Sequence, residues 1–341
     1  MQKRFGTTTI LVFGGAGFVG SEFIRQVLSE SLKTKIVCVD ALTYAGNRDN
    51  LKGLPASRFT FIQGDITDAS RMGRIFSKYK PSYVINFAAE SHVDKSIHGG
   101  AEAFVRTNVL GTTVLLEALR QTPTVKKFVQ VSTDEVYGSL SLASRKKFIE
   151  QSPLAPNSPY AASKAAADLV ARSYHRTYAL PIVITRCSNN YGPYQHPEKL
   201  IPYSITRLME GKPIVMYGDG KYVRDWIHVT DHCSALVSAL LNGVSGEIYN
   251  IGVGEEVDNL TIARRLLKYF KKGKSALVFV KDRPGHDRRY AIDSSKIRRE
   301  LGWKSKHTFG TSFEPTIAWY VENTAWTRRA LARSGVANMH I

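Results

Sequence analysis

The sequence predicts an α/β protein built on a doubly wound parallel sheet, with a second, smaller α/β lobe. The first half of the chain alternates short strand-like runs with amphipathic stretches, which is the order of a parallel sheet covered by helices on both faces. The strand-like runs are almost continuously apolar, as expected for strands buried on both sides. The chain has 341 residues, which exceeds the roughly 250–300 residues at which a single core usually divides.

Runs rich in β-branched and aromatic residues mark the strands of this sheet. The predicted strands span residues 9–13, 36–39, 59–63, 83–87, 127–132, 182–185 and, later in the chain, 247–251. The amphipathic stretches between them predict helices over residues 21–32, 103–119 and 160–178. Because ligands of such sheets bind at the carboxyl ends of the strands, polar residues that follow a strand are the first candidates for a functional site.

The helix over residues 160–178 has the clearest beginning. Asn157 or Ser158 can cap it, and Pro159 suits the first turn because its missing N–H has no intrahelical partner there. Tyr160 and Lys164 are four residues apart, so they share one face of this helix.

The second half of the chain has a different composition. After Arg186 it becomes rich in proline and glycine, which predicts binding loops rather than sheet. Further patterns predict a helix over residues 231–241 and a helical tail over residues 311–333. We therefore expect one lobe to comprise residues 1–186 plus about 227–250, and the smaller lobe residues 187–226 plus about 251–333.

Composition excludes several classes of protein. The net charge is +18, but the basic residues occur as scattered pairs and triplets without a nucleic-acid-binding motif, so we expect a solvated basic surface rather than nucleic acid binding. No apolar run approaches the ~18 residues that span a bilayer, so no membrane association is expected. Three widely spaced cysteines, Cys38, Cys187 and Cys233, predict a reducing, cytoplasmic location.

The turn after the first strand predicts a dinucleotide-binding, Rossmann-type domain. Gly14-Gly-Ala-Gly17-Phe-Val-Gly20 contains the spacing G-x-G-x-x-G, whose glycines let the backbone approach a pyrophosphate at the start of the following helix. Asp40 ends the second strand, where a carboxylate accepts hydrogen bonds from ribose hydroxyls and repels a 2′-phosphate, favouring NAD over NADP. Asp65, after the third strand, is placed to contact the adenine amine.

Tyr160 and Lys164 are suited to oxidising an alcohol on a nicotinamide cofactor. A tyrosine is a poor base at neutral pH unless a nearby positive charge stabilises its phenolate, and Lys164 can supply that charge. Tyr160 can then take the proton of a hydroxyl while hydride leaves the same carbon. A surface Tyr–Lys pair without function is the alternative interpretation.

Thr133, Asp134 and Glu135 follow the fifth strand and predict an additional chemistry. Two neighbouring carboxyl groups can take different roles when their environments push their pKa values apart. A proton next to a new ketone is acidic enough for Glu135 to remove, Asp134 can protonate a departing hydroxyl, and Thr133 can bond the oxidised oxygen. Oxidation followed by elimination uses both sets of residues, although acidic residues that merely cap a turn are the alternative.

A short cluster at residues 228–233 has the appearance of a metal site. His228, Asp231, His232 and Cys233 have ligand-type side chains at close spacing, but no second cluster accompanies them. We expect no metal, and we expect Asp231 and His232 to cap or buttress a helix instead.

Together these residues resemble the dTDP-glucose 4,6-dehydratases, a family of extended short-chain dehydrogenase/reductases. The similarity extends over nearly the whole chain. The blocks that carry it begin with Asp40-Ala-Leu-Thr-Tyr-Ala-Gly-Asn47, Ala88-Ala-Glu-Ser-His-Val-Asp94, Thr107-Asn108, Ser132-Thr-Asp-Glu-Val-Tyr-Gly138 and Tyr160-x-x-x-Lys164. The later blocks are Thr185-Arg-Cys-Ser-Asn-Asn-Tyr-Gly-Pro-Tyr-Gln195, Pro197-Glu-Lys-Leu-Ile-Pro202, Arg224-Asp-Trp226 and residues 282–293.

The resemblance implies that the protein is a homodimer. It also implies a reaction cycle on a nucleotide-diphosphate glucose. Tyr160 would deprotonate the 4-hydroxyl while hydride passes from C4 to NAD⁺. Glu135 would remove the C5 proton and Asp134 would protonate the C6 hydroxyl, which leaves as water. Hydride would return to C6, giving a 4-keto-6-deoxy sugar.

The resemblance also implies a set of binding residues. The cofactor-binding candidates are Gly14, Gly17, Phe18, Val19, Gly20, Asp40, Asp65, Ile66, Ala88, Ala89, Thr107, Tyr160, Lys164 and Asn190. The substrate-binding candidates are Ser91, Asn189, Lys199, Leu200, Val215, Tyr217, Arg224, Asn259, Arg283 and His286. Arg224 and Lys199 suit a pyrophosphate because it requires fixed cationic donors.

Three other functions remain open from the sequence. A UDP-glucose 4,6-dehydratase differs only in the base, and one methyl group gives modest discrimination. A sugar-nucleotide 4-epimerase shares the Tyr–Lys pair but has no use for the acid–base pair Asp134 and Glu135. A catalytically silent NAD-binding protein that uses its basic surface on nucleic acid would bind in a salt-sensitive manner.

Overall fold

The computed structural model describes residues 5–334, and their strands form one large and two small sheets. In chain order the strands are β1 Thr8–Phe13, β2 Thr34–Asp40, β3 Phe59–Gln63, β4 Tyr83–Asn86, β5 Lys127–Thr133, β6 Ile182–Cys187, β7 Asn189–Tyr191, β8 Ile214–Tyr217, β9 Val223–His228, β10 Ile248–Ile251, β11 Glu256–Asp258 and β12 Leu277–Val280. All seven predicted strands are present in the main sheet, with ends that differ from the prediction by at most two residues.

The helices lie between these strands. They are α1 Phe18–Glu30, α2 Ala69–Tyr79, α3 Val93–His98, α4 Glu102–Phe104, α5 Thr112–Arg120, α6 Pro159–Tyr178, α7 Leu200–Met209, α8 Val229–Asn242, α9 Asn259–Tyr269, α10 Ser295–Leu301, α11 Phe309–Glu322 and α12 Thr324–Ser334. Ser158 caps α6 by accepting the N–H of Ala161, so of the two predicted caps the serine is the correct one.

The main sheet is parallel, with strand order β3-β2-β1-β4-β5-β6-β10. The chain leaves β1 toward one edge and returns at β4 toward the other, so the carboxyl ends of β1 and β4 flank the crevice where such sheets bind ligands. One hydrophobic cluster covers the face that carries α1 and α8, and a second covers the face that carries α2, α5 and α6. The predicted Rossmann-type α/β fold is therefore confirmed.

The second half contains more regular structure than its composition predicts. The segment after Arg186 was expected to form loops, but it contributes a three-stranded sheet, β11-β9-β7, and a two-stranded sheet, β12-β8. These sheets pack with α7, α9 and α11 around a third hydrophobic cluster. The prediction was wrong because these strands are only three to six residues long. Such short runs lie between glycines at turns, such as Gly218 and Gly220, and show no clear period.

Two predicted helices are interrupted in the structure. The helix expected over residues 103–119 consists of α4, a π-helical stretch over Val105–Gly111, and α5. The tail expected over residues 311–333 divides into α11 and α12 at Asn323, and a capping box at Thr308 and Thr311 begins α11 two residues early. Within residues 5–334 no helix is both long and apolar enough to cross a membrane.

Candidate active site

The turn after β1 has two glycines at positions where a side chain would clash with the backbone. Gly14 has φ +72°, and a Cβ there would lie 2.5 Å from the backbone nitrogen of Ala88. A Cβ on Gly20 would lie 2.5 Å from the carbonyl oxygen of Gly14. The helix that follows, α1, has no side-chain cap and no acidic residue in its first turn. Its free N–H groups and positive dipole end therefore fit the pyrophosphate of a dinucleotide.

Asp40 is fixed at the end of β2, beside this turn. Its Oδ2 accepts the N–H of Ala16 at 2.9 Å and its Oδ1 accepts the N–H of Leu42 at 2.8 Å. Burial raises the pKa of Asp40, and these two backbone hydrogen bonds oppose the increase. Asp65 is exposed and holds Thr67 through two 2.9 Å hydrogen bonds. Both carboxyl groups therefore have fixed orientations, as the binding of a ribose and an adenine requires.

A cavity of about 350 Å³ lies at the carboxyl ends of the main-sheet strands. Every catalytic and cofactor-binding candidate named from the sequence lines it, including Phe18, Val19, Ile66, Ala88, Ala89, Thr107 and Asn190. Three of the substrate-binding candidates, Ser91, Asn189 and Lys199, line it as well. The structure thus brings together residues from positions 14 to 199 that are scattered in the sequence.

Tyr160 and Lys164 project from the first turns of α6 into this cavity. Lys164 Nζ donates a 2.7 Å hydrogen bond to the carbonyl of Val131 on β5, which fixes the ammonium group. Burial lowers the pKa of Lys164, whereas the negative charge of Asp168 raises it. Burial raises the pKa of Tyr160 well above its usual value, and the negative charge of Glu135 adds to the increase.

Thr133 turns the chain from β5 into a single turn of 3₁₀ helix over Asp134–Tyr137. Its Oγ1 accepts the N–H of Glu135 at 3.3 Å and donates to Asp134 Oδ1 at 3.4 Å. Asp134 is 2 % exposed, and its Oδ2 has no hydrogen-bond partner among residues 5–334. Glu135 is half-buried. The sequence therefore places two carboxyl groups of different exposure at the end of one strand.

The two carboxyl groups also differ in their charged neighbours. Burial raises the pKa of Asp134 well above its usual range, and the charges of Glu135 and Asp225 raise it further. Burial also raises the pKa of Glu135, but the positive charges of Arg283, Arg224 and Lys199 oppose this. Of the two carboxyl groups, Asp134 is therefore the one whose environment more strongly favours the protonated form.

The other seven substrate-binding candidates do not line the cavity: Leu200, Val215, Tyr217, Arg224, Asn259, Arg283 and His286. Arg224 is buried on β9 with its guanidinium over the ring of Tyr290. Arg283 Nη1 donates to Asp94 at 2.9 Å. Both cations nevertheless act on Glu135 electrostatically, so they lie near the part of the cavity that Glu135 lines.

Three of these candidates, Val215, Tyr217 and His286, lie on the two-stranded sheet β12-β8 or in the loop after β12. The ring of His286 stacks on Tyr222 at 3.6 Å and lies 6.0 Å from the ring of Tyr217 on β8. Val215 is on the same strand, and Leu200 begins α7. Asn259 begins α9, and its Oδ1 is buried without a hydrogen-bond partner within the described chain. These residues lie on or next to the small sheets and do not line the cavity.

Several cavity-lining residues were missed by the sequence analysis. Tyr44 and Glu198 belong to blocks that carry the family resemblance, so block membership was the available signal. The Glu198 side chain is 2 % exposed and contacts His92 Nε2 at 3.3 Å. Trp326 and Arg333 line the cavity from α12, and no sequence pattern indicates this contact.

The side chains of the cluster at residues 228–233 contact neighbouring parts of the protein. His228 caps α8. The carboxylate of Asp231 accepts the N–H groups of Lys306 and His307 at 2.8–3.0 Å, so it buttresses the loop before α11. His232 is fully buried with its Nδ1 2.9 Å from Asn190 Oδ1. Among residues 5–334, no group of three or more ligand-type side chains is arranged to hold a metal ion.

Comparison with known proteins identifies the family. The family model described as GDP-mannose 4,6 dehydratase matches residues 11–316. A dTDP-glucose 4,6-dehydratase of Xanthomonas campestris pv. campestris (strain B100) is 46% identical over 95% of this chain and 96% of its own length.

Solved structures agree with this assignment. The dTDP-glucose 4,6-dehydratase DesIV from Streptomyces venezuelae, solved with NAD bound, is 48% identical with a TM-score of 0.90, covering 94% of this chain and 99% of that one. A UDP-glucose 4-epimerase from Thermotoga maritima, solved with UDP-glucose, has a TM-score of 0.85 at 29% identity, covering 93% of this chain and 99% of the other. The chain therefore belongs to the dTDP-glucose 4,6-dehydratase family of extended short-chain dehydrogenase/reductases.

Proposed function

We propose that this protein is an NAD-dependent dTDP-glucose 4,6-dehydratase that converts dTDP-glucose to dTDP-4-keto-6-deoxyglucose and water. The observation that carries the proposal is that Asp134 and Glu135 line the same cavity as Tyr160 and Lys164. A plain alcohol oxidation or an epimerisation requires only Tyr160 and Lys164. Elimination of water requires a base and an acid in addition, and the neighbouring carboxyl groups supply both.

The first step rests on Tyr160 and Lys164. Bound NAD⁺ supplies the acceptor for the hydride of C4 and later the donor of the hydride that reaches C6. Tyr160 takes the proton of the 4-hydroxyl, and Thr133 donates a hydrogen bond to the resulting carbonyl oxygen. Lys164, held on the carbonyl of Val131, presents the positive charge that stabilises the phenolate against the burial that disfavours it.

The elimination rests on Glu135 and Asp134. Oxidation at C4 acidifies the C5 proton, and Glu135, which lines the cavity together with Tyr160, is placed to remove it. Asp134 is held protonated by burial and by like charges, so it can donate its proton to the C6 hydroxyl, which leaves as water. When hydride reaches C6, Glu135 returns its proton to C5. The proton of Asp134 has left with the water, and the proton that Tyr160 took from the 4-hydroxyl restores the balance through solvent before the next cycle.

We propose that the smaller lobe holds the nucleotide diphosphate. Residues 187–226 and about 251–333 form it, and residues 5–186 with about 227–250 form the cofactor lobe. Its buried cations support this assignment, because Arg224 and Arg283 act on Glu135 from the small-sheet side and suit the two phosphates. Tyr217, His286 and the buried Oδ1 of Asn259 are then candidates for the nucleoside.

The test is a product assay on the purified protein with NAD and either dTDP-glucose or UDP-glucose, read by mass spectrometry. Loss of the mass of one water without added reductant supports dehydration, and the ratio of the two rates identifies the preferred base. Glu135→Gln should lower turnover by about 10²–10⁴-fold while NAD binding remains. Conversion to the galactose isomer at unchanged mass would identify an epimerase, and no turnover of either sugar would overturn the proposal.

We also propose a homodimer formed through the neighbouring helices α5 and α6. Val105 and Leu110, both in the π-helical stretch that leads into α5, and Leu169 on α6 are 51 %, 47 % and 52 % exposed. Burying this apolar surface against a second copy would stabilise a dimer. Light scattering should give a dimer for the wild type and a monomer for Leu169→Glu, whereas a monomeric wild type would contradict the proposal.

We propose a cytoplasmic location for the protein. The support is that Cys38, Cys187 and Cys233 are all free thiols, two of them buried. Recovery of the protein with cytoplasmic markers in cell fractionation is expected, and recovery with a secreted fraction would contradict it.

A further inference from the structure

Helix α12 is attached to one loop of the cofactor crevice through a regular series of contacts. Trp326 Nε1 donates to Asn50 Oδ1 at 2.8 Å. One turn later, Arg329 Nε donates to Asp49 Oδ2 at 2.8 Å. After a further turn, the guanidinium of Arg333 donates to the side-chain oxygen of Asn47. Positions 326, 329 and 333 share one face of the helix, and this face follows consecutive parts of the loop.

The same loop is bonded to the glycine turn that would hold the pyrophosphate. The backbone N–H of Asn47 and the side-chain amide of Asn50 both donate to the carbonyl of Ala16, at 3.0 and 2.9 Å. The N–H of Ala16 in turn donates to Asp40. A continuous series of hydrogen bonds therefore connects α12 to the residues that fit the adenosine half of the cofactor.

Two polar groups at this end of the cavity indicate a ligand. Arg333 lines the cavity together with Trp326 and Asn47, although it comes from the far end of the described chain. Asn47 is 4 % exposed, and its Nδ2 has no hydrogen-bond partner among residues 5–334. A buried amide donor without an acceptor is costly unless a ligand completes it. A cation and a free donor together suit the phosphate and hydroxyl oxygens of a dinucleotide.

We infer that α12 is a clasp for the cofactor, in which Arg333 and Asn47 bind the adenosine diphosphate half of NAD and the docked helix slows its release. The inference rests on the proposed NAD-dependent function. Its consequence is that docking of α12 and binding of NAD are coupled, and such coupling is reciprocal: NAD must stabilise the docked helix as much as the docked helix stabilises NAD.

The test compares two substitutions that remove the same charge from the same helix. Both residues are exposed, but Arg333→Ala removes a guanidinium that lines the cavity and donates to Asn47, whereas Arg328→Ala removes one that has no hydrogen bond or ion pair to the described residues. NAD release is timed by stopped-flow after mixing the loaded protein with an excess of a competing dinucleotide. Loss of a charged hydrogen bond should speed release about tenfold to a hundredfold in Arg333→Ala and leave Arg328→Ala at the wild-type rate.

Hydrogen exchange provides the reciprocal measurement on the wild-type chain. Amides of α12 should exchange at least about tenfold more slowly in the presence of NAD, and this protection should shrink in Arg333→Ala. If wild-type protein retains NAD while Arg333→Ala and Arg328→Ala release it equally fast, the clasp is overturned and the proposed function stands. If wild-type protein binds no NAD, both are overturned.

Discussion

Asp168 forms a buried ion pair one helical turn from Lys164, and its removal should be costly. Arg186 Nε donates to Asp168 Oδ2 at 2.9 Å, and the two side chains are 4 % and 1 % exposed. Asp168 lies one helical turn after Lys164 on α6, and its charge supports the charged form of that lysine. The pair therefore bears on both folding and the electrostatics of the site.

The change Asp168→Asn keeps the shape of the side chain and removes its charge. It leaves Arg186 buried without a counter-ion, which costs about 3–5 kcal/mol. The matched control is Asp219→Asn, which breaks a bidentate pair with Arg288 at 2.8 and 3.0 Å whose side chains are 48 % and 35 % exposed. Solvent screens that pair, so the control should lose less than about 1 kcal/mol.

The assay is urea denaturation of both variants at pH 7 with matched NAD concentration, followed by circular dichroism. Equal losses in the two variants, or a loss below about 1 kcal/mol in Asp168→Asn, would refute the reasoning. A third variant separates an unpaired charge from poor packing: Asp168→Leu with Arg186→Met replaces both charges by apolar groups and should recover most of the lost stability.

Two further substitutions test the buried carboxyl group of Asp225 and the glycine turn at Gly14. Burial raises the pKa of Asp225 from 3.8 to about 6. Its stabilising contribution is therefore present below about pH 4 and lost as pH rises through 6, so Asp225→Asn should gain up to about 3 kcal/mol over wild type between pH 4 and pH 8 in denaturation curves. Gly14→Ala should abolish NAD binding in a titration, because its Cβ would meet Ala88, whereas Gly53→Ala, at a similar φ of +79° with nothing within 4 Å, should bind normally.

The sequence was sufficient to predict the cofactor crevice because its determinants are local. The turn from Gly14 to Gly20 and the carboxylate of Asp40 each act within a few residues of a strand end, and the apolar strands between them are long enough to recognise. The acid pair was predictable for the same reason, since Asp134 and Glu135 directly follow β5. Once the strand is recognised, the direction of the following side chains is largely set.

Features that depend on distant contacts were not predictable. Trp326 and Asn50 are 276 positions apart, and nothing in either segment indicates the other. The strands β7 and β11 have three residues each, so they are formed by tertiary pairing with β9 rather than by local preference. The exclusion of Arg224 and Arg283 from the cavity wall likewise depends on their own partners, Tyr290 and Asp94.

The cations around Glu135 predict that substrate binding itself activates the base. In the free protein, burial raises the pKa of Glu135, and the charges of Arg283, Arg224 and Lys199 oppose part of this increase. A bound diphosphate would neutralise those cations, so the pKa of Glu135 should rise and the carboxylate should become more basic when the sugar is in place.

Because Glu135 must be ionised to act, activity is lost as pH falls through its pKa. The acidic limb of kcat, which reports the substrate complex, should therefore lie at higher pH than that of kcat/KM, which reports the free protein. An Arg224→Gln variant should move the acidic limb of kcat/KM toward that of kcat, because the free protein then already lacks one of the cations that lower the pKa of Glu135. Coincident limbs in the wild type, or a limb of kcat at lower pH, would show that the diphosphate does not neutralise the charges that act on Glu135.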